Sequence, residues 1–288
     1  MAALRLAPND ASMLRLAATL ESTLGRWDEA LAHSEAATRL DPRSTSARTS
    51  KVQILLPMRK YAEAIGVLKQ VLAEAPSLSA LQTLTVAYLM QGDLDSARQS
   101  IAVPPPGISR EALVAYVALY NDLYWMLNEN DQKLALTLGP EYFDNDRASW
   151  AVTLMQLHYL RGNRELARAY ADTARIEYQK QLARVPDDPQ RNIFLGMALA
   201  TLGRKAEAIA AAERGDALQP VERDQNTGAY MRHQLIRVYL VLGEHEKALD
   251  LLEKLVKIPY YLTPQYLSID PNFAQLRGNP RFERLLRQ

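Results

Sequence analysis

The chain has 288 residues, 48% of them hydrophobic, with a formal net charge of +1 and no cysteine. A charge so near zero argues against a nucleic-acid partner, which requires a basic excess. The missing thiols exclude a disulfide framework, a thiolate metal site and cysteine catalysis. No apolar run approaches the ~20 residues of a membrane span, and the first residues lack the basic-then-apolar layout of a secretory leader. That absence tips the expected compartment toward the cytoplasm. Good helix formers (Ala, Leu, Arg, Glu, Gln) dominate and period-two alternation does not persist, so the chain reads as all-α.

In chain order, "AALRLAP" (2–8) comes first and reads as the last turn of a helix stopped by Pro8. Helical hairpins are then expected at 11–44, 45–77 and 78–103, with second helices in "LGRWDEALAHSEAATRLDP" (24–42), "MRKYAEAIGVLKQVLAEAP" (58–76) and "QGDLDSAR" (91–98). "VPPPGI" (103–108) cuts the third short, and its prolines force an extended segment, read as a tight connector inside one superhelix with a hinge between two arrays as the alternative. A degenerate hairpin follows at 109–146. Its first helix, "SREALVAYVALYNDLYWMLNE", has Ser109 as N-cap and Glu111 in the first turn; its second, "DQKLALTL", stops at Gly139-Pro140. Regular hairpins resume at 148–186, 187–220 and 223–259, the helix of "ADTARIEYQKQLARVPDDP" (171–189) running about two turns past the usual unit. The organisation expected is therefore N-terminal units over 1–103, degenerate and regular units over 104–258, and a cap over 259–288.

The repeat has a physical logic. Pro8, Pro42 and Pro76 lie 34 apart, as do Pro186 and Pro220. Gly25, Gly92, Gly162, Gly203 and Gly243 fall where one helix ends, and glycine accepts the left-handed C′ conformation cheaply. Ala30, Ala64, Ala97, Ala167, Ala208 and Ala248 follow, and a small side chain there lets two helices cross closely. Proline ends the second helix because it lacks the N–H that continuation requires. Each hairpin keeps an apolar side that only a stacked neighbour buries.

This pattern resembles the tetratricopeptide repeat (TPR) family. Leu195-Gly196 with Leu199, Leu235 with Tyr239, and Leu84 with Tyr88 match its first helix; Ala30 with Ala37 and Ala208 with Gly215 match its second. The resemblance implies a right-handed α-α superhelix of about six or seven hairpins. It also implies a protein or peptide partner held on the first helices. Pro8 lies in register with Pro42, so "AALRLAP" matches the end of a second helix whose first helix would lie upstream.

In the tail, Asp270-Pro271 and Asn279-Pro280 each read as N-cap plus N1 of a short helix, with Gly278 as a stop between them. Phe273, Leu276, Phe282, Leu285 and Leu286 would cover the apolar end of the last repeat. "YLSIDPNFAQLRGNPRFERLL" also resembles the C-terminus of bacterial multidomain signalling proteins. In those, a TPR-type region follows a Ser/Thr kinase, nucleotide cyclase or winged-helix domain. That resemblance implies an output domain upstream in the same parent chain.

No catalytic, cofactor or metal motif is present: the four histidines are scattered, and no Walker A run, dinucleotide glycine fingerprint or G-x-S-x-G occurs. The expectation is a non-enzymatic regulatory module of a bacterial signalling protein; the alternatives are a stand-alone assembly scaffold and an enzyme without a recognisable motif. Partner-binding candidates are Tyr116, Tyr120, Tyr124 and Trp125, the tyrosines at i, i+4 and i+8 sharing one face of a single helix, together with His158, Tyr230, His233 and Arg237. Tyr and Trp are favoured at binding hot spots. Polar positions at Arg15, Thr19, Gln53, Gln82, Asn121 and Gln156 extend the same inner row. The sites matching the family's carboxylate clamp hold Arg15, Thr19, Ser50, Ser79 and Thr83, one cation and no asparagine, which argues against that mode.

Overall fold

A computed structural model describes residues 9–287, so "AALRLAP" lies outside the described residues. Among those described no strand occurs. The helices pair as the spacing of Gly, Ala and Pro requires: α1 (Ala11–Thr23) with α2 (Trp27–Leu40), α3 (Thr45–Leu55) with α4 (Tyr61–Glu74), and α5 (Leu78–Met90) with the short α6 (Leu94–Ser100). After α7 (Arg110–Leu119) and α8 (Glu129–Ala135) come α9 (Arg147–Leu160) with α10 (Arg164–Leu182), α11 (Pro189–Thr201) with α12 (Lys205–Leu218), and α13 (Thr227–Val241) with α14 (His245–Leu255). The tail adds α15 (Pro264–Ile269), a 3-10 turn at Pro271–Leu276 and α16 (Pro280–Leu285).

The five hairpin glycines all have positive φ, between 73° and 80°, and the six crossing alanines are fully buried. Gly196 and Gly215 are needed where α11 crosses α12. A Cβ on Gly215 would lie 2.4 Å from Ile193 Cγ1 and 2.5 Å from the Pro189 carbonyl oxygen; one on Gly196 would lie 2.8 Å from Ala212 Cβ. Side-chain N-caps start most of the other helices: Asp10, Ser44, Ser77, Asp93, Ser109, Asn128, Asp146 and Asp188 each accept from a backbone N–H of the first turn.

The chain divides into two compact units, neither contiguous in sequence. Unit 1 takes the chain as far as Pro106, with Val221–Thr227 and Val256–Ile269. There Gln225 donates its N–H to the Thr23 carbonyl at 3.0 Å and accepts from the Trp27 indole N–H at 3.2 Å. Thr263 donates to the Met90 carbonyl at 2.7 Å and caps α15, whose Tyr266 and Leu267 are buried. Unit 2 takes Gly107–Pro220, Gly228–Leu255 and the chain from Asp270. In it Asp270 and Asn279 cap the two tail turns as their Asx-Pro pairs require, Phe273, Leu276, Phe282 and Leu285 are buried, and Arg281 pairs with Glu246, Asp250 and Glu253 of α14.

One expected element is different. The single helix from Ser109 to Glu129 breaks: α7 ends at Leu119, and Tyr120–Met126 is a 3-10 turn in which Asp122 takes φ 58°. Asn and Asp compete poorly in helix interiors and tolerate the left-handed region, and Asp122 gains a buried tertiary partner by leaving the helix.

Candidate functional site

The first helices α9, α11 and α13 supply the inner side chains of unit 2. Along α13 the residues from Met231 to Leu240 are buried apart from Arg232, so even its polar groups lie inside. Arg237 is the hub. Its Nη1 donates to Asp122 Oδ1 and, at 2.8 Å, to Gln234 Oε1; its Nη2 donates to the Tyr124 hydroxyl at 3.0 Å and to Gln156 Oε1 at 2.6 Å. Gln234 Nε2 donates to Asp122 Oδ2 at 2.6 Å. The tail joins the network: Tyr124 donates to Asn272 Oδ1 at 2.5 Å, and Asn272 donates both its backbone N–H and its amide N–H to Asp270 Oδ1, each at 2.8 Å. Phe273 stacks on His233 with ring centroids 5.8 Å apart.

Burial sets the electrostatics of this cluster. It opposes the Arg237 charge, but Asp122, Tyr124 and Asp270 outweigh it and hold the guanidinium above its ordinary value. Burial pushes the Tyr124 phenol up to about 12, the Asp270 carboxyl up to about 6 and the His233 imidazole down to about 3. A buried ion pair whose hydrogen bonds are met fixes one arrangement of the elements around it; removing one partner strands a charge.

The structure separates the sequence-predicted candidates into two sets. Tyr124, His233 and Arg237 belong to the buried network, Trp125 is buried, and His158 is buried against Tyr170 with centroids 5.3 Å apart. Burial, with Arg161 nearby, lowers the His158 pKa. Tyr116, Tyr120 and Tyr230 remain at least partly accessible. The three tyrosines expected on one helix face do not share it. The helix break turns Tyr124 inward, while Tyr116 and Tyr120 stay together, centroids 4.5 Å apart, with Tyr120 39% exposed. Of the other polar positions, Gln82 and Gln156 are buried and Gln53 and Thr19 are exposed; the side chain of Asn121 lies outside the described residues.

Two cavities flank the network, and Gln156 lines both. The first, of about 360 Å³, is floored by Met155, Met197, Leu240 and Val241 and edged by Thr201, Asn272 and Gln275. At its rim the Arg164 guanidinium lies 3.6 Å from the centroid of the exposed Tyr159 ring. The second, of about 370 Å³, is lined by Tyr120, Asp144, Asp146, Tyr178, Phe194 and Tyr230 among others. Asp144 accepts from the Tyr120 hydroxyl at 3.1 Å. Arg164 and Asp144 escaped the sequence reading because each sits in a turn or at a helix start, where a charge is ordinary. Among the described residues no group of three or more His, Asp or Glu could hold a metal ion, and no helix is long and apolar enough to cross a membrane.

Stacked helical hairpins with crossing alanines and an inner row of first-helix side chains define an α-hairpin repeat protein. A model described as tetratricopeptide repeat matches residues 15–79 and 153–222, and a second such model matches 229–254; the chain belongs to the TPR family. Among solved structures, TTC0263, a thermophilic TPR protein of Thermus thermophilus, is 20% identical over 80% of this chain and 99% of its own, with a TM-score of 0.41. A TPR protein from Parabacteroides merdae ATCC 43184 is 15% identical over 96% and 97%, with a TM-score of 0.43. The TPR2AB domain of yeast Sti1, solved in a complex with pHSP90, is 15% identical over 96% and 97%, with a TM-score of 0.33. No curated protein matches the chain.

Proposed function

We propose that this chain is a protein-interaction module that holds a segment of a partner protein against the inner helices of unit 2. One observation carries the reading: the cavity of about 360 Å³ floored by α9, α11 and α13. An apolar floor with a few convergent polar groups is the general form of a ligand site, and these are first helices, where the TPR resemblance implies a partner. The buried network fills the space beside this cavity, so the segment would enter the cavities rather than run along an empty inner face. The module acts without catalysis of its own; turnover of nucleotides by the purified chain would overturn that part.

The experiment is selection of peptides from a displayed random library on the immobilised chain. Affinities are then measured on wild type and on Thr201→Trp, which fills the cavity from α11. Selected peptides should bind the variant at least about tenfold more weakly, the loss expected of a blocked apolar anchor, while its circular dichroism and melting are unchanged. Failure to select any peptide, or equal affinity for the variant, would sink the reading.

The wording of the tail supports a finer version, in which the module belongs to a bacterial signalling protein and a bound segment alters the placement of an upstream output domain. The gene upstream of Met1 tests it. An in-frame kinase, cyclase or winged-helix domain supports this version, and an in-frame stop supports the stand-alone scaffold.

A further inference from the structure

We infer that the second cavity of unit 2 is a receptor for a cationic side chain, Arg or Lys, of the bound segment, with the Asp144 carboxylate and the Tyr120 ring as its recognition elements. This rests on the reading that the chain binds a protein segment, and it names the chemistry of that segment.

The argument begins with charge. Among the described residues no Lys, Arg or His lines this cavity, whereas Asp144 and Asp146 both do. Asp146 is committed to the fold: it caps α9 through the Ala148 N–H at 3.0 Å and accepts from Ser149 and Gln181, each at 2.8 Å. Asp144 is exposed and accepts from the Tyr120 hydroxyl. A carboxylate offers about four acceptor positions, so Asp144 keeps capacity for a guanidinium or an ammonium. Asp144 and Asn145 both take positive φ, 56° and 57°, a turn that Asp and Asn tolerate and that sets the carboxylate at the cavity.

The aromatic lining points the same way. Tyr120, Tyr178, Phe194 and Tyr230 line one cavity, and aromatic ring faces attract cations. Tyr120 is the most exposed of them, with Tyr116 against it. An acidic guest would meet two carboxylates, and a neutral guest would gain from neither. The first cavity has the opposite character, with Arg164 at its rim and Arg237 in its wall. The two receptors are therefore not interchangeable.

The test uses two displayed libraries on the full chain, one lacking Lys and Arg and one lacking Asp and Glu. The best binder from the acid-free library is then titrated, with its basic residue intact or replaced by Ala, against wild type and Asp144→Asn. Asp144→Asn keeps the side-chain shape and the turn. The acid-free library should yield the tighter binders. Asp144→Asn should weaken the intact peptide about fivefold, within the range of an exposed ion pair with a ring contact, and leave the Ala peptide unchanged. Equal enrichment from both libraries, or a coupling below about twofold, overturns the inference and leaves segment binding standing. Enrichment from neither library overturns segment binding and this inference with it.

Discussion

The first helices of two different hairpins, α1 and α13, invert the usual relation between residue type and burial. Counted back from the hairpin glycines Gly25 and Gly243, Leu16 and Gln234 occupy the same repeat position, as do Thr19 and Arg237, and Leu20 and Val238. In α1 the two leucines are each 52% exposed and Thr19 is exposed. In α13 Gln234 and Val238 are fully buried and Arg237 is 4% exposed. The hairpin therefore determines where a side chain points, and what packs on the hairpin determines whether it is buried. A repeat cannot complete its own surroundings; α13 receives the turn carrying Asp122 and Tyr124, Gln156 of α9 and the tail turn at Pro271–Leu276.

Arg237→Ala should break this contrast most severely. It strands Asp122 in a buried site and costs about 3–5 kcal/mol, whereas Thr19→Ala at the matching position of α1 should stay within about 0.5 kcal/mol. Urea unfolding of both variants measures the difference. The double variant Asp122→Asn, Arg237→Met should recover part of the loss, since apolar and neutral groups of similar volume leave no unpaired charge. Equal small effects at both positions would mean that the network contributes nothing to stability.

The next effect concerns helix crossing. Gly215 in α12 and the buried Ala37 in α2 stand at matching positions of their second helices. Gly215→Ala places a methyl against Ile193 and the Pro189 carbonyl and should cost about 1–3 kcal/mol by overpacking. Ala37→Gly should cost about 1 kcal/mol through helix propensity. An unchanged melting temperature for Gly215→Ala would show that the α11–α12 crossing has slack.

The third sharpens the contrast through pH. His233, held down to about 3, takes up its proton only on unfolding, so its share of stability is lost as pH falls from about 6.5. Asp270, held up to about 6, has the opposite sign: its share is fully present below its ordinary value of about 4 and is lost as pH rises through 6. Between about pH 4 and 6 the two oppose each other. His233→Gln removes the first, so the variant's stability should fall more steeply with rising pH there than the wild type's, by up to about 1.4 kcal/mol per pH unit. Parallel stability curves from urea titrations at pH 4.5 and pH 6 would contradict this assignment.

What was legible in the sequence was local. The glycine, alanine and proline positions mark each hairpin because each answers a backbone or crossing constraint within about 34 residues. Both tail N-caps were legible for the same reason. The network was not: Asp122 and Arg237 are 115 positions apart, and nearest-neighbour stacking gives no reason to pair them. The signal that was available is the run of polar groups, His233, Gln234 and Arg237, within the apolar stretch of α13. Tyr116, Tyr120 and Tyr124 do not share a face because their spacing crosses Asn121-Asp122, where a helix is weak.

The same register argument yields the smallest effect, at a turn rather than a helix. Between α3 and α4 the position of the hairpin glycine is held by Arg59, with φ 60°. Its hydrogen bonds are those of the glycine turns: Lys60 donates to Leu55 and Arg59 to Leu56, as Arg26 does to Glu21 and Gly25 to Ser22. The motif is kept, so only the left-handed conformation of an L-residue is unfavourable, by roughly 1–2 kcal/mol. Glycine would remove that cost but loses about 0.4–1 kcal/mol through a freer unfolded chain. Arg59→Gly should therefore stabilise the protein by about 0.5–1 kcal/mol. The converse, Gly203→Ala, has open space around its Cβ and should destabilise by a similar amount through the backbone alone. If urea unfolding shows Arg59→Gly to be destabilising, the Arg59 side chain makes a contribution beyond the turn.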